Sequence, residues 1–334
     1  MASPTNPNPS PPYSNRPLYT RDILNDIEAK LADDDEYIEL RNSAGRTTQS
    51  KNMNRGVGRR DWAPGTKGPG NVVAFQDERA LRRLEERWPS ATRSAFEDFF
   101  PVYHFTAMYR GANKTAAEAR DTLAWVRQAF EGSEEAAALR ALVKARLAGC
   151  RVDKVMAFGL GPLGFTWPGP AEEHSFYEHA AALVIREAVQ EVSSAPGVAL
   201  MVQDPMYTDV CRGVLGAAGV DVVEGFGAKG FALVDDATVV LAHHPNFPLR
   251  EILADVARPA AVCMRAQVSE GAARADQGFD LKADVDSARS RRWLAAYRGV
   301  RLPVSGQKAF FDNTWYFRDT AVDAEQQMEG PASE

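Results

Sequence analysis

From residue 153 onward the chain alternates short apolar runs with amphipathic stretches. Residues 154–158 (KVMAF), 198–202 (VALMV), 220–223, 238–242 (TVVLA) and 260–264 have strand length and carry apolar side chains at consecutive positions. That is the pattern of strands buried on both faces. Between them, residues 175–192, 209–218 and 249–256 show helical spacing; 284–297 reads as a further helix and 313–318 as a last strand. The alternation predicts an α/β fold of Rossmann-like, doubly wound type, with a mostly parallel sheet under helices on both faces, over residues 151–320.

The first half of the chain follows other rules. Residues 1–75 read as a largely disordered tail and linker, because a Pro-, Asn- and Ser-rich start and a polar, Gly-rich stretch at 33–72 bury little. One short helix interrupts them at 20–31, with Ile23, Leu24, Ile27 and Leu31 on one face and Thr20 at its start. Residues 76–150 read as a helical accessory region, so the main domain carries a helical N-terminal extension. Thr115-Ala116-Ala117-Glu118 has the form of a capping box, and Ser133 caps a second helix with Leu139, Val143 and Leu147 inward. An aromatic cluster from Phe96 to Tyr109 is expected to cover a face or edge of the main domain. Residues 321–334 are expected to form a disordered tail.

Charge and cysteine content narrow the function classes. With 39 basic and 45 acidic residues the formal net charge is −6, so no nucleic-acid partner is expected. The basic run at 55–60 reads as a solvated linker. Three widely spaced cysteines indicate neither a disulfide framework nor a zinc knuckle. The N-terminus has no apolar signal stretch and no run is long enough to span a bilayer, so the expectation is a cytoplasmic or nuclear protein with no membrane partner.

Three features fall at strand C-terminal ends, where open α/β sheets bind ligands. Gly159-Leu160-Gly161-Pro162-Leu163-Gly164 follows the first strand and matches G-x-G-x-x-G. Asp204-Pro205 follows the second strand and His243-His244-Pro245 the fourth. With strand order 3-2-1-4-5, the histidines face the glycine loop across one crevice. Gly159, Gly161, Gly164 and Asp204 are the expected cofactor-binding positions, with S-adenosylmethionine or a nucleotide as the ligand. A purely structural glycine turn is the competing reading, since Pro162 removes an amide donor and the helix opens well beyond the motif. His243 and His244 are the candidate acid/base residues. Adjacent histidines at a strand end point to opposite sides, and His174 and His179 are the only nearby supplements, so no metal site is expected. Arg289, Arg291 and Arg292 read as a solvated helix face. No nucleophile elbow, H-E-x-x-H or P-loop motif is present.

Taken in order, Phe158-Gly159-Leu160-Gly161, Asp204-Pro205, His243-His244-Pro245 and Phe311-Asp312-Asn313-Thr314 with Phe317 resemble the sensitivity-to-red-light-reduced (SRR-like) domain family over about residues 153–318. His244 stands where that family usually has cysteine, and Arg265 where it has asparagine. The resemblance implies a Rossmann-like fold and a regulatory role, with no agreed reaction. The leading expectation is therefore a regulatory SRR-like protein whose crevice holds a small molecule. The alternatives are an enzyme, methyltransferase-like or another tailoring catalyst, using a crevice histidine, and an interaction module that meets a protein partner through its N-terminal region.

Overall fold

The computed structural model describes residues 17–42, 45–56, 67–78, 100–165, 174–243, 245–266, 284, 286–302 and 313–319. In chain order the elements are α1 (Arg21–Ala32), β1 (Tyr37–Arg41), β2 (Thr47–Lys51), β3 (Lys67–Phe75), β4 (Val102–Arg110), α2 (Ala116–Glu131), α3 (Glu134–Leu147), β5 (Lys154–Phe158), α4 (His174–Val192), β6 (Ala199–Gln203), α5 (Asp209–Ala217), β7 (Asp221–Val222), α6 (Lys229–Leu233), β8 (Thr238–Ala242), α7 (Leu249–Val256), β9 (Ala261–Arg265), α8 (Ala288–Leu294), β10 (Tyr297–Val300) and β11 (Asn313–Arg318).

A seven-stranded sheet of order β10-β11-β9-β8-β5-β6-β7 organises the molecule. Strands β5 to β9 are parallel, and β11 and β10 close one edge antiparallel. The parallel part has the expected 3-2-1-4-5 order. Alternation along each strand sorts side chains between two cores. Val155, Ala157, Val239, Leu241, Cys263 and Trp315 face α2 to α5; Met156, Phe158, Val240, Ala242, Met264 and Tyr316 face α1, α6, α7 and α8. Both faces are buried, which is why these strands read as unbroken apolar runs.

Helix α4 lies between β5 and β6 on one side and α2 and α3 on the other. Its residues from Phe176 to Ile185 are accordingly buried all round, as expected of a helix with no solvent face. The caps read from sequence are present. Thr115 and Glu118 exchange both bonds of a capping box, and the Ser133 hydroxyl accepts from the Ala136 amide. Thr20 likewise caps α1, whose Leu24, Ile27 and Leu31 are buried in the second core. Each such burial is worth roughly 1.5–3 kcal/mol, which a twelve-residue helix needs to persist.

Several expectations are overturned. The stretch read as linker, 33–72, contains β1, β2 and most of β3, and the region read as helical, 76–150, contains β4. β3 pairs with β4 along nine residues, from Lys67 opposite Arg110 to Phe75 opposite Val102. β1 and β2 form a second hairpin. A buried asparagine network joins the two: Asn54 Nδ2 donates to Asn71 Oδ1 at 3.1 Å and Thr106 Oγ1 at 2.7 Å, and Asn71 Nδ2 donates to Asn52 Oδ1 at 2.9 Å. The helix read at 284–297 is only α8, since Ser287 caps it and Tyr297 opens β10. Arg289 is no solvated residue: it is buried and ion-paired with Asp255, while Arg291 and Arg292 are exposed. Its partner Asp255 also takes the Leu18 and Tyr19 amides at 2.6 and 3.1 Å, tying the chain start to α7. Residues 1–16 of the N-terminal stretch and the tail read at 321–334, together with Phe96, Phe99 and Phe311-Asp312, lie outside the described residues.

Candidate functional site

A crevice of about 570 Å³ opens at the C-terminal ends of β5, β6 and β8, and the β3–β4 hairpin forms its opposite wall. Gly159, Asp204 and His243 all line it. Three strand ends well separated in sequence therefore meet at one cavity, where a doubly wound sheet leaves room for a ligand. The cavity has the size and aromatic character common to small-molecule sites.

The wall is built from rings. Phe158 stacks on Phe231 with centroids 4.3 Å apart, and Phe247 and Phe75 meet Phe231 edge to face at 5.1 and 5.2 Å. The stack requires Gly230, where a Cβ would lie 2.8 Å from the Phe158 ring and closer still to Gln203. The Gly230 amide donates to the Gln203 side chain. From the hairpin, Tyr103 and Phe105 face the same space. Burial pushes the Tyr103 hydroxyl above its ordinary value, so it stays neutral.

The polar end is centred on Asp204. Its Oδ2 accepts the Gly161 amide at 2.9 Å and its Oδ1 the Met206 amide at 2.7 Å. The Gly159 amide donates to the Gln203 carbonyl at 3.0 Å. Behind this loop lies Glu178 of α4. Burial, and then the negative charge of Asp204, push its carboxyl well above the usual range. Its Oε1 stands 3.8 Å from His243 Nε2. The other nitrogen, His243 Nδ1, is 3.3 Å from Asn313 Oδ1. Asn313 Nδ2 is committed to the Ala242 carbonyl at 3.2 Å and the Cys263 sulfur, which turns Oδ1 toward the imidazole. An amide oxygen only accepts; Nδ1 of His243 therefore carries hydrogen, and the lone pair of its neutral form sits on Nε2 facing Glu178.

The three glycines do different work. Gly159 has φ +66° and open space where a Cβ would be, on the crevice wall. Gly161 has φ +77°, and a Cβ there would stand 2.7 Å from Ser175 Oγ at the start of α4. Gly164 packs against Ala112 and Thr208, with its carbonyl accepting the Asn113 and Lys114 amides; it joins the β4–α2 connection to the loop before α5. Only Gly159 of the three lines the crevice.

His244 lies outside the described residues. His179 has both ring nitrogens engaged: Nδ1–H donates to the Ser175 carbonyl at 2.6 Å, and Nε2 accepts from the Tyr207 hydroxyl at 2.7 Å. Burial lowers its pKa to about 4, so it is a neutral tie between α4 and the loop after β6. Among the described residues no group of three His, Cys, Asp or Glu side chains could hold a metal ion.

Glu178, Gln203, Phe231 and Phe247 escaped the sequence reading. Glu178 had a signal, being the one carboxylate in the buried run from Phe176 to Ile185, whose other residues apart from His179 are apolar or aromatic. Of the aromatic wall, Tyr103 and Phe105 belong to the cluster read in the sequence, whereas Phe75, Phe231 and Phe247 carried no signal, because they come from β3, α6 and the loop before α7.

Fold and cavity together define a Rossmann-like α/β protein with its crevice at the parallel strand ends. Among the described residues no helix is long and apolar enough to cross a membrane. Comparison of the chain with family models, with curated proteins and with solved structures finds no match.

Proposed function

We propose that this protein is a regulatory protein of SRR-like type whose crevice binds a small organic ligand. The observation that carries this reading is the convergence of Gly159, Asp204 and His243 on one aromatic-walled cavity. The order of the four motifs along the chain supports the family assignment. A ligand that binds the native state alone raises stability by mass action. Thermal melts of the full chain with S-adenosylmethionine, adenosine, NAD⁺ and ATP, at millimolar concentration, should therefore include one that raises Tm by several degrees. The rise should vanish in Ala107→Trp, which fills the cavity from the hairpin side. No rise with any of them, or a rise that survives Ala107→Trp, removes the reading.

The paired environment of His243 favours a second reading, an enzyme in which that imidazole moves a proton. Its Nδ1 faces Asn313 Oδ1 and its Nε2 stands 3.8 Å from the Glu178 carboxyl, a pair between which a proton can be held or released, as general acid/base work needs. The two readings separate on turnover. Mass spectrometry of a bound ligand after incubation detects conversion, and His243→Ala should then bind ligand without converting it. An unchanged ligand supports the regulatory reading.

A further inference from the structure

We infer that the crevice selects a flat aromatic ligand that is cationic or rich in hydrogen-bond donors, and rejects phosphorylated ones. This rests on the ligand-binding reading above and adds the chemical class.

Three observations point the same way. First, the loop that would cradle a phosphate has turned its donors inward. The Gly161 amide is given to Asp204 and the Gly159 amide to the Gln203 carbonyl, and Pro162 has none. Anion binding at such a loop needs amides aimed at the ligand and a helix N-terminus beside it. The start of α4 does lie beside this loop, but its Ser175 hydroxyl is given to the Leu160 carbonyl at 2.7 Å, and Gly161, which faces Ser175, does not line the crevice. Second, Asp204 occupies the place of the anion. A phosphate entering beside it would meet like charge at short range, and the same charge adds to the burial that raises the carboxyl of Glu178 behind the loop. A cation or donor group meets attraction at the same point. Third, the rest of the wall suits a ring. Phe158, Phe231, Phe247, Phe75 and Tyr103 present faces and edges, and aromatic walls favour planar and cationic groups. The ligand thus has a flat body toward the hairpin and α6, and a donor or positive end toward Asp204.

The test is a charge series of constant shape. Benzamidine, benzamide and benzoate differ in charge but hardly in outline, and adenosine and AMP differ by the phosphate. Binding to the full chain is read from NMR titration of the His243 imidazole and Ala107 methyl signals. Benzamidine should bind at least tenfold more tightly than benzoate, and adenosine at least tenfold more tightly than AMP. Asp204→Asn, folded as judged by its melting curve, should shrink both ratios to about threefold or less. Benzoate and AMP binding as tightly as their partners, with crevice signals moving, overturns the charge assignment and leaves a ligand crevice standing. No movement of those signals with any of the five compounds at millimolar concentration overturns the crevice as a ligand site and the assignment with it. The wild-type ratios decide the matter even if Asp204→Asn fails to fold.

Discussion

The Asp204 carboxylate accepts the Gly161 amide at 2.9 Å across 43 residues of sequence. The bond clamps the loop after β5 to the loop after β6, and so sets the shape of the crevice floor. It also converts a motif that resembles an anion cradle into an intramolecular closure.

Gly161 should tolerate no side chain. Its φ of +77° is left-handed, and a Cβ would approach Ser175 Oγ to 2.7 Å. That hydroxyl donates to the Leu160 carbonyl at 2.7 Å and has little room to retreat. Gly161→Ala should cost about 1–3 kcal/mol from backbone strain alone. Urea denaturation measures it; a variant as stable as the wild type contradicts the packing described. Gly159→Ala, with open space ahead of its Cβ, should lose less.

The tautomer of His243 is open to direct measurement. Because Asn313 Oδ1 faces Nδ1, neutral His243 should populate the Nδ1–H form, visible in the ¹⁵N chemical shifts of the ring. Asn313→Ala removes the acceptor and should move the population toward the Nε2–H form usual in solution. Identical ¹⁵N shifts in both proteins would mean that Asn313 does not aim the ring.

Stability should fall with pH through Glu251. This side chain of α7 is 1% exposed; it accepts the Glu78 amide at 2.9 Å. Burial pushes its carboxyl up to about 8, with Asp77 and Glu78 adding to the rise and the bonds from the Glu78 amide and Ser287 opposing it. Between about 4.5 and about 8 the native state keeps a proton that the unfolded chain has released. Raising the pH through that window therefore favours unfolding. The contribution is complete below the lower value, lost above the upper one, and on the order of a few kcal/mol. Glu251→Gln holds the neutral form at every pH. It should flatten the slope of unfolding free energy between pH 5 and 8.5 and be more stable than wild type at the alkaline end. Parallel pH profiles for the two proteins would contradict this.

Glu28 ties the N-terminal helix to the crevice side of the molecule. Its carboxylate accepts the Phe226, Ala228 and Lys229 amides at 2.7, 2.6 and 3.1 Å, and Gly225 leaves the space it fills. The same loop holds the hairpin, since the Val73 amide donates to the Phe226 carbonyl at 2.8 Å. Bonds to a charged acceptor contribute about 1.5–3 kcal/mol each, and not additively. Glu28→Ala should therefore destabilise by roughly 2–4 kcal/mol. It should also speed hydrogen exchange at 226–229 and at Val73 before it does so in β5 or β8. Unchanged exchange at Val73 would show that the hairpin stands independently of α1.

What sequence determined by itself was everything that neighbours decide. Strands β5, β6, β8 and β9 are apolar on both faces, so their runs are visible without knowing what covers them, and the bonds that cap α1, α2 and α3 close within three residues. The strand-end positions of Gly159, Asp204 and His243 follow from the same local pattern. Tertiary structure alone decided the rest, because those choices rest on pairings between distant residues. Lys67-Gly68-Pro69-Gly70 has the composition of a linker and becomes strand only because Ala107–Arg110 lie opposite. Ile38 and Leu40 are two apolar positions in a short polar segment, too few to announce a strand until the second core buries them. Glu178 is legible as a carboxylate in a largely apolar helix, but its raised carboxyl depends first on burial under distant elements and then on Asp204 from the loop after β6. The crevice itself is space between a hairpin and a sheet, and no stretch of chain encodes it alone: its walls exist only once long-range packing has brought them face to face.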